Sequence, residues 1–444
     1  MSKKILLVGS GAREHVLAET IKRSPQRPEL YVFGKSNNPG ISDLADGYKI
    51  AELDDFDALR EFVEETGVKL AFIGPENPLA DGIVDFLLTL GVDVASPAKS
   101  LARLESSKSF TRDLVAKYGI PGNPIFKVFT STDGLEEFMR DELEGQFVVK
   151  AEGLCGGKGV KVVGDHLENV EEGVEFAAQC ISEDGKVVIE EKFIGQEFSL
   201  MSFADGETVL DMPAAQDNKR AFNDDKGPNT GGMGSYSDTD HSLPFLEKKD
   251  LADAHEITVQ VMHALKKECG KPFKGILYGG FIATAKGVRL IEYNARFGDP
   301  EAMNVLPLLK TDFVEVLEAI CEGRLAEIGL EFENKATVCK YLVPDGYPNN
   351  PVKDQIIELK EPLGDGVKAY YASVDKRDDV LYLCGSRAIG MLGVANTLAE
   401  AEKLAEKGAQ LVSGPVFYRE DIGTAELIRK RIDMMKSLRR EGSN

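Results

Sequence analysis

Four short apolar runs, at 4–8, 29–33, 70–73 and 93–95, are separated by amphipathic stretches at about 13–23, 54–66 and 79–90. Strand and helix alternating at this spacing restrict the first hundred residues to parallel β-α-β units. An open parallel sheet binds ligands at the carboxyl ends of its strands. Two such ends carry chemistry: Gly9-Ser10-Gly11-Ala12-Arg13-Glu14-His15 and Gly74-Pro75-Glu76-Asn77-Pro78-Leu79. The first has Glu14 where a dinucleotide fingerprint has its third glycine, and the next strand ends in Phe33-Gly34-Lys35 rather than in a ribose-binding acid. That disfavours a nicotinamide dinucleotide. A glycine turn at a helix N-terminus still suits a phosphate, and Arg13 adds charge, so a sugar phosphate is the expected ligand.

The chain has 444 residues, too many for one core and enough for about three domains. With 43% hydrophobic and 29% charged residues it reads as a soluble globular protein. Its formal net charge of -21 argues against a general nucleic-acid binder, although local cations can still build a nucleotide pocket. Six scattered cysteines without a CxxC pair point to a reducing cytoplasm, with neither a zinc site nor a disulfide framework. No apolar run approaches membrane-spanning length, and the one at 5–8 is too short for a signal peptide.

Beyond residue 100 the pattern changes. Ser106-Ser107-Lys108 opens a helix to about Tyr118. A strand at 146–150 ends in Lys150 and runs into Ala151-Glu152-Gly153-Leu154-Cys155-Gly156-Gly157-Lys158-Gly159-Val160, and a strand resumes at 161–163. This is not a P-loop, because a strand follows it rather than a helix. It reads as a glycine-rich hairpin loop whose backbone N–H groups can close over phosphates, with Lys150 and Lys158 as point charges. The strand at 186–193 carries Glu190 and Glu191 near its end, and another follows at 197–201. Backbone groups of that linker can pair with adenine and Glu197 with ribose hydroxyls; a solvated turn is the alternative. The segment 227–234 (Gly-Pro-Asn-Thr-Gly-Gly-Met-Gly) is expected to be an irregular polar loop of the binding or lid kind, containing Asn229, Thr230 and Gly231. A helix at 247–268, strands at 277–284 and 288–294, and a helix at 301–322 complete this unit. A third region begins at about 335, with strands near 336–343, 368–372, 379–384 and 387–394 and a helix at 397–411. Its polar highlights are Ser386-Arg387 and Arg419-Glu420-Asp421-Ile422-Gly423. The basic tail 429–440 reads as cations closing a last helix.

The densest chemistry lies at Glu292-Tyr293-Asn294-Ala295-Arg296-Phe297-Gly298-Asp299-Pro300-Glu301. Residues two apart on a strand share a face, so Glu292 and Asn294 offer a carboxylate and an amide oxygen together. Hard oxygen ligands of this kind suit Mg²⁺, which usually takes one or two carboxylates plus substrate phosphates. The bidentate fork of Arg296 suits a phosphate or carboxylate. Gly298 and Pro300 mark a turn that carries Asp299 and Glu301.

Taken together, these segments resemble the ATP-grasp superfamily and, within it, the glycinamide ribonucleotide synthetases (phosphoribosylamine–glycine ligases). The resemblance runs from Gly9 to Gly423 and is carried most specifically by G-P-N-T-G-G-M-G at 227–234 and E-Y-N-A-R-F-G-D-P-E at 292–301. Departures from the family pattern are Ala12, Cys155, Asn218, Tyr293 and Ala295, of which only Asn218 touches a substrate loop. The resemblance implies an N-terminal open parallel α/β domain (1–104), a central ATP-grasp α+β domain (105–330, lid about 120–190) and a C-terminal mixed α+β domain (331–444). It implies a cytoplasmic ligase of purine biosynthesis, monomeric or weakly dimeric, with ATP as co-substrate and Mg²⁺ or Mn²⁺ on Glu292 and Asn294. Its small-molecule partners would be glycine and 5-phosphoribosylamine, with no nucleic acid and no membrane. ATP would be held by Lys108, Lys150, Gly156, Gly157, Lys158, Gly159, Glu190, Glu191 and Glu197. The other substrates would meet Gly11, Arg13, Glu14, Pro75, Glu76, Asn229, Thr230, Gly231 and Gly298. Asp217, Lys219, Arg296 and Asp299 would be the catalytic set. The alternatives are another ATP-grasp ligase or carboxylase, or a regulator that binds ATP and a sugar phosphate without turnover.

Overall fold

The structure, a computed structural model, describes residues 2–156, 159–360 and 362–442. Its N-terminal part is a parallel sheet of β1 (Lys4–Val8), β2 (Glu29–Gly34), β3 (Gly47–Ile50), β4 (Leu70–Ile73) and β5 (Asp93–Val94), in the order β3-β2-β1-β4-β5. Ile5 to Val8 are fully buried, as expected of a strand covered on both faces. The chain reverses its sheet-building direction between β1 and β4. Their carboxyl ends, Gly9 and Gly74, therefore flank the crevice where such sheets bind ligands. The expected helix at 79–90 is two helices, Glu76–Asp81 and Ile83–Thr89, because Gly82 between them stands at φ +100°.

The next segment is a separate lobe. Strands β6 (Phe126–Phe129), β7 (Phe147–Ala151), β8 (Val160–Val162) and β9 (Val187–Glu191) form an antiparallel sheet in the order β6-β9-β7-β8, backed by the helix Val170–Asp184. Its apolar residues, among them Phe129, Phe147, Val149 and Ile189, form a cluster apart from the main core. A lobe with its own core can move as a body against the rest.

The main body continues with β10 (Gly195–Ala204) and β11 (Val209–Asp211), then the short strands β12 (Gln216–Asp217), β13 (Arg220–Phe222), β14 (Lys226–Asn229) and β15 (Gly234–Ser237), then β16 (Gly275–Thr284) and β17 (Gly287–Asn294). The order β11-β10-β16-β17 makes an antiparallel sheet. The stretch expected to be wholly irregular at 227–234 is not. Lys226–Asn229 pairs with Arg220–Phe222 as a hairpin, and Gly234 starts β15, leaving 230–233 as the loop. The helix expected at 301–322 is broken into Glu301–Val305, a 3₁₀ turn Leu306–Leu308 and Phe313–Glu322. Pro307 has no N–H to continue the first piece, and the Asp312 side chain caps the second through Val314 N (3.1 Å).

The C-terminal part contains β18 (Ala336–Pro344), β19 (Ile356–Leu359), β20 (Val367–Tyr371), β21 (Val374–Arg377), β22 (Val380–Leu383), β23 (Ile389–Ala395), β24 (Val412–Ser413) and β25 (Val416–Phe417), with helices Leu398–Ala409 and Ala425–Glu441. One sheet crosses from the main body into it, in the order β12-β15-β18-β23-β20. A second sheet, β21-β22-β19-β24, packs beside it. The C-terminal part also meets the N-terminal sheet. His15 stacks on Tyr371 and accepts its backbone N–H (3.0 Å), while Glu19 takes Lys368 and the Tyr370 hydroxyl (2.7 Å).

His15 is buried, and burial drives its pKa from 6.5 down to about 4, with Lys368 adding to the shift against Glu19. Between those two values the unfolded chain binds a proton that the folded chain refuses, so stability present above pH 6.5 is lost as pH falls through 4. The loss from this one group is about 3 kcal/mol. Urea unfolding at pH 7 and pH 4.5 is expected to show a larger drop for the native chain than for His15→Leu.

No helix among the described residues is long and apolar enough to cross a membrane.

Candidate active site

The end of β17 is shaped by a bulge. Phe281 pairs with Leu290 and Gly280 with Glu292, so Ile291 has no partner on β16. Its carbonyl turns outward and accepts from Lys150 Nζ (2.8 Å) and Arg112 Nη2 (2.6 Å). Glu292 and Asn294 follow on the cleft side, while Tyr293 between them is buried in the core. Among the described residues, no hydrogen bond occupies either the Glu292 carboxylate or the Asn294 amide. Burial opposes ionisation of Glu292, but Lys219, Lys150, Lys108 and Arg296 outweigh it and hold the carboxyl below its usual range. An ionised carboxylate and an amide oxygen, both free, fit a Mg²⁺ or Mn²⁺ ion that draws its other ligands from phosphates and water. Among the described residues no cluster of three or more His, Cys, Asp or Glu side chains could hold a metal by itself.

The cations come from three elements. Lys108 opens the helix Lys108–Lys117, capped by Ser107, and reaches across to the Gly153 carbonyl of the β7–β8 loop (2.6 Å). Glu152 in that loop accepts Ser107 and the backbone N–H of Ser109 (3.1 Å). Lys150, on β7, is buried and pairs with Glu190 (2.7 Å). Arg112 grips the same carboxylate with two bonds, Nε to Oε1 (2.6 Å) and Nη2 to Oε2 (2.8 Å). These two cations and the acid tie together the lobe, the helix Lys108–Lys117 and β17. Burial raises the Glu190 pKa, but Arg112 and Lys150 pull it below the usual carboxylate range. On β9, Glu191 accepts from Ile125 N (2.8 Å), and Glu197 on β10 pairs with Lys219 (3.1 Å).

A second network faces the N-terminal sheet. Arg296 Nη2 pairs with Glu105 (2.8 Å) and its Nε with Glu76 (3.2 Å), and Arg13 lies 3.7 Å from Glu76 and donates to the Phe297 carbonyl (3.2 Å). Burial works against ionisation of Glu76, but Arg296 and Arg13 lower it to about 2. Glu14 takes the Gly11 N–H (2.6 Å) and the Arg13 Nε (2.7 Å) with its own carboxylate and fills the glycine turn. Gly11, Glu14 and Pro75 therefore lie behind the cleft, and Arg13 and Glu76 are the members of this group that line it.

The third network comes from the C-terminal part. Arg387 stacks 4.6 Å over the Tyr341 ring and donates to the carbonyls of Gly231 (2.6 Å), Gly232 (3.1 Å) and Asp299 (2.8 Å). It also holds Asp299 Oδ2 (2.9 Å), while the Tyr341 hydroxyl donates to Oδ1 (2.7 Å). Both Asp299 oxygens are thus committed within the protein. Asp217 differs: its buried Oδ1 has no partner among the described residues. Burial and the neighbouring Glu301 push its carboxyl well above the usual range, against Lys219 and Arg387. Gly232 stands at φ +110°, and a Cβ there would come within 2.6 Å of Asp217 Oδ1, so only glycine lets the loop close over that acid.

All three networks meet in one cleft of about 960 Å³. Lys108, Lys150, Gly156, Gly159, Glu190, Glu191 and Glu197 line it. So do Asp217, Lys219, Asn229, Thr230, Gly231, Arg296, Gly298 and Asp299. Gly157 and Lys158 lie outside the described residues. Arg112, Glu105 and Tyr341 had no motif to mark them. Arg387 was visible only as a polar spot in an otherwise apolar strand pattern.

Comparison with known proteins gives this arrangement a family. Three consecutive phosphoribosylglycinamide synthetase models match the chain: the N domain at residues 3–105, the ATP-grasp (A) domain at 106–302 and the C domain at 337–425. The chain belongs to the phosphoribosylglycinamide synthetase family. It is 47% identical over 436 residues to a phosphoribosylamine–glycine ligase of Methanosarcina barkeri, covering 98% of this chain and 100% of the relative. It is 48% identical over 446 residues to one of Methanocaldococcus jannaschii, covering 98% of this chain and all of the relative. The crystal structure of a Thermotoga maritima phosphoribosylamine–glycine ligase superposes with a TM-score of 0.80 at 27% identity, over 94% of this chain and 99% of that one. The parallel N-terminal sheet, the central ATP-grasp body and the mixed C-terminal sheets are the architecture of this synthetase family.

Proposed function

We propose that the chain ligates glycine to 5-phosphoribosylamine at the cost of ATP, giving glycinamide ribonucleotide, ADP and phosphate; its relatives are named phosphoribosylamine–glycine ligases. The observation that carries the reading is the convergence of Lys108, Lys150 and Lys219 on the free Glu292–Asn294 pair, beneath a lobe with its own core. Phosphoryl transfer is mainly positioning and charge neutralisation, and these groups supply both. Glu292 and Asn294 would hold a divalent ion, which would supply neutralisation of phosphate charge.

Lys150 and Lys108 hold the nucleotide phosphates from the lobe side, and the β7–β8 loop covers them. Arg296 and the 230–233 loop orient the glycine carboxylate, whose oxygen attacks the γ-phosphorus and releases ADP. The resulting glycyl phosphate would hydrolyse in open water, so a closed lobe is required. Arg13 and Glu76, at the β1–β4 crevice, face the phosphoribosylamine. Its amine attacks the acyl carbon, phosphate leaves, and the amine proton is lost to a cleft acceptor. No side-chain nucleophile is needed.

The test is ADP release with Mg²⁺–ATP and phosphoribosylamine generated in place from ribose 5-phosphate and ammonia. Release is expected only when glycine and the amine are both present. Release with bicarbonate or alanine in place of glycine would keep the ATP-grasp chemistry and discard the substrate.

A further inference from the structure

The helix Ala425–Glu441 lies past the family's C-domain match, which ends at residue 425, and the ligation chemistry gives it no task. Its long-range ion pairs reach outside its own part of the chain. Lys430 pairs with Asp224 (2.6 Å) and Arg431 with Asp225, both on the β13–β14 hairpin. Arg439 pairs with Glu247 (3.0 Å) and Asp250 at the start of the helix Lys248–Cys269. Between these anchors Ile428 and Met435 join the main core, while Arg431 and Met434 line the cleft.

The end of the cleft they line can be identified. Gln196 Nε2 contacts Met434 Sδ (2.8 Å). Gln216 Nε2 donates to Gln196 Oε1 (3.4 Å) and to the Glu197 carbonyl (2.9 Å), and its Oε1 accepts from the Tyr236 hydroxyl (2.6 Å). Gln196 and Gln216 are buried, so this relay is held in place. Residues 192–194 link the lobe to β10, and Lys192, Phe193 and the first residues of β10, Gly195 to Glu197, line the cleft. From the lobe, Lys192 reaches the Val163 carbonyl (2.7 Å) and Asp165 (3.6 Å), and the adjacent His166 meets Arg220 (3.0 Å). Lobe, hairpin and C-terminal helix thus wall the same end. Arg431 Nε is a buried donor there with no partner among the described residues.

We propose that Arg431 and Met434 are positioning residues for the base and ribose of the nucleotide. Met434 holds the 192–197 segment through Gln196 and Gln216, and Arg431 presents its free N–H at that wall. The proposal rests on reading the cleft as an ATP site. It assigns the C-terminal helix to nucleotide affinity and base selectivity and not to the chemistry at glycine.

Calorimetric binding of Mg–ADP and Mg–GDP to the full chain tests it, with Met434→Ala, Arg431→Ala and the exposed Lys436→Ala as control. Met434 is partly exposed, and Asp225 keeps Arg419 (3.0 Å) when Arg431 is removed, so both variants are expected to fold. Each should weaken ADP about fivefold to tenfold, roughly the loss of one buried contact of about 1 kcal/mol or slightly more. The ADP-to-GDP preference should shrink, the KM for glycine should stay within about twofold, and Lys436→Ala should match the native chain. ADP affinity unchanged in both variants would overturn the proposal, as would equal losses for ADP and glycine together with a lowered unfolding midpoint. ADP binding needs no glycine. A native chain that binds ADP without ligating glycine removes the ligase reading and leaves this one standing, whereas a native chain that binds no ADP removes the nucleotide assignment itself.

Discussion

Glu292→Ala is expected to lower kcat/KM for ATP roughly 10³-fold while leaving the fold intact. A divalent ion acting on phosphoryl oxygens supplies several kcal/mol, and each 1.4 kcal/mol or so is a factor of ten. Among the described residues no group of three or more His, Cys, Asp or Glu side chains could hold the ion in its place. Among the described residues the carboxylate makes no hydrogen bond, so its removal breaks none there. Four cations lose a neighbour, which lowers stability modestly. Steady-state kinetics with a titration of Mg²⁺, beside a thermal melt, measures both. A fully active variant would sink the metal assignment.

Glu190→Ala should act on stability first. Arg112 and Lys150 flank that carboxylate with side chains only 2% and 6% exposed. Breaking a buried pair by removing one partner costs about 3–5 kcal/mol, because the other charge stays buried without compensation. Here two cations are left, although Arg112 keeps the Leu290 and Ile291 carbonyls (3.1 and 2.6 Å). Urea unfolding of Glu190→Ala and Glu190→Gln would measure it, with the amide losing less because it preserves the shape and one acceptor. Nucleotide affinity should fall in parallel, since Lys150 is aimed by the same carboxylate. A loss below about 1 kcal/mol would mean that the trio behaves like an exposed ion pair.

Much of the cleft was legible from local pattern. A period of two puts Glu292 and Asn294 on one face, and the glycine-rich run between β7 and β8 has the spacing of a hairpin. Strand–helix alternation alone placed Gly9 and Gly74 at the carboxyl ends of strands, and the strand order made those ends neighbours. Local pattern failed where a residue's meaning depends on a distant partner. Arg112 is one basic residue in an ordinary helix, and its carboxylate lies 78 positions away. The resemblance implied a substrate contact for Glu14, and in the structure its carboxylate accepts from Gly11 N. Asp299 was expected on a turn within the catalytic set, and Tyr341 and Arg387 hold it from beyond the ATP-grasp region.

By itself, then, the amino-acid sequence determined the order of elements, the family and the groups proposed to meet phosphate and metal, because backbone periodicity and turn chemistry act over a few residues. The tertiary structure decided which of those groups are free to act. It committed both oxygens of Asp299, left Asp217 Oδ1 without a partner among the described residues, turned the Ile291 carbonyl toward two cations and laid the last helix along one end of the cleft. The physical reason is that ionisation and hydrogen bonding depend on burial and on neighbours brought together from far along the chain.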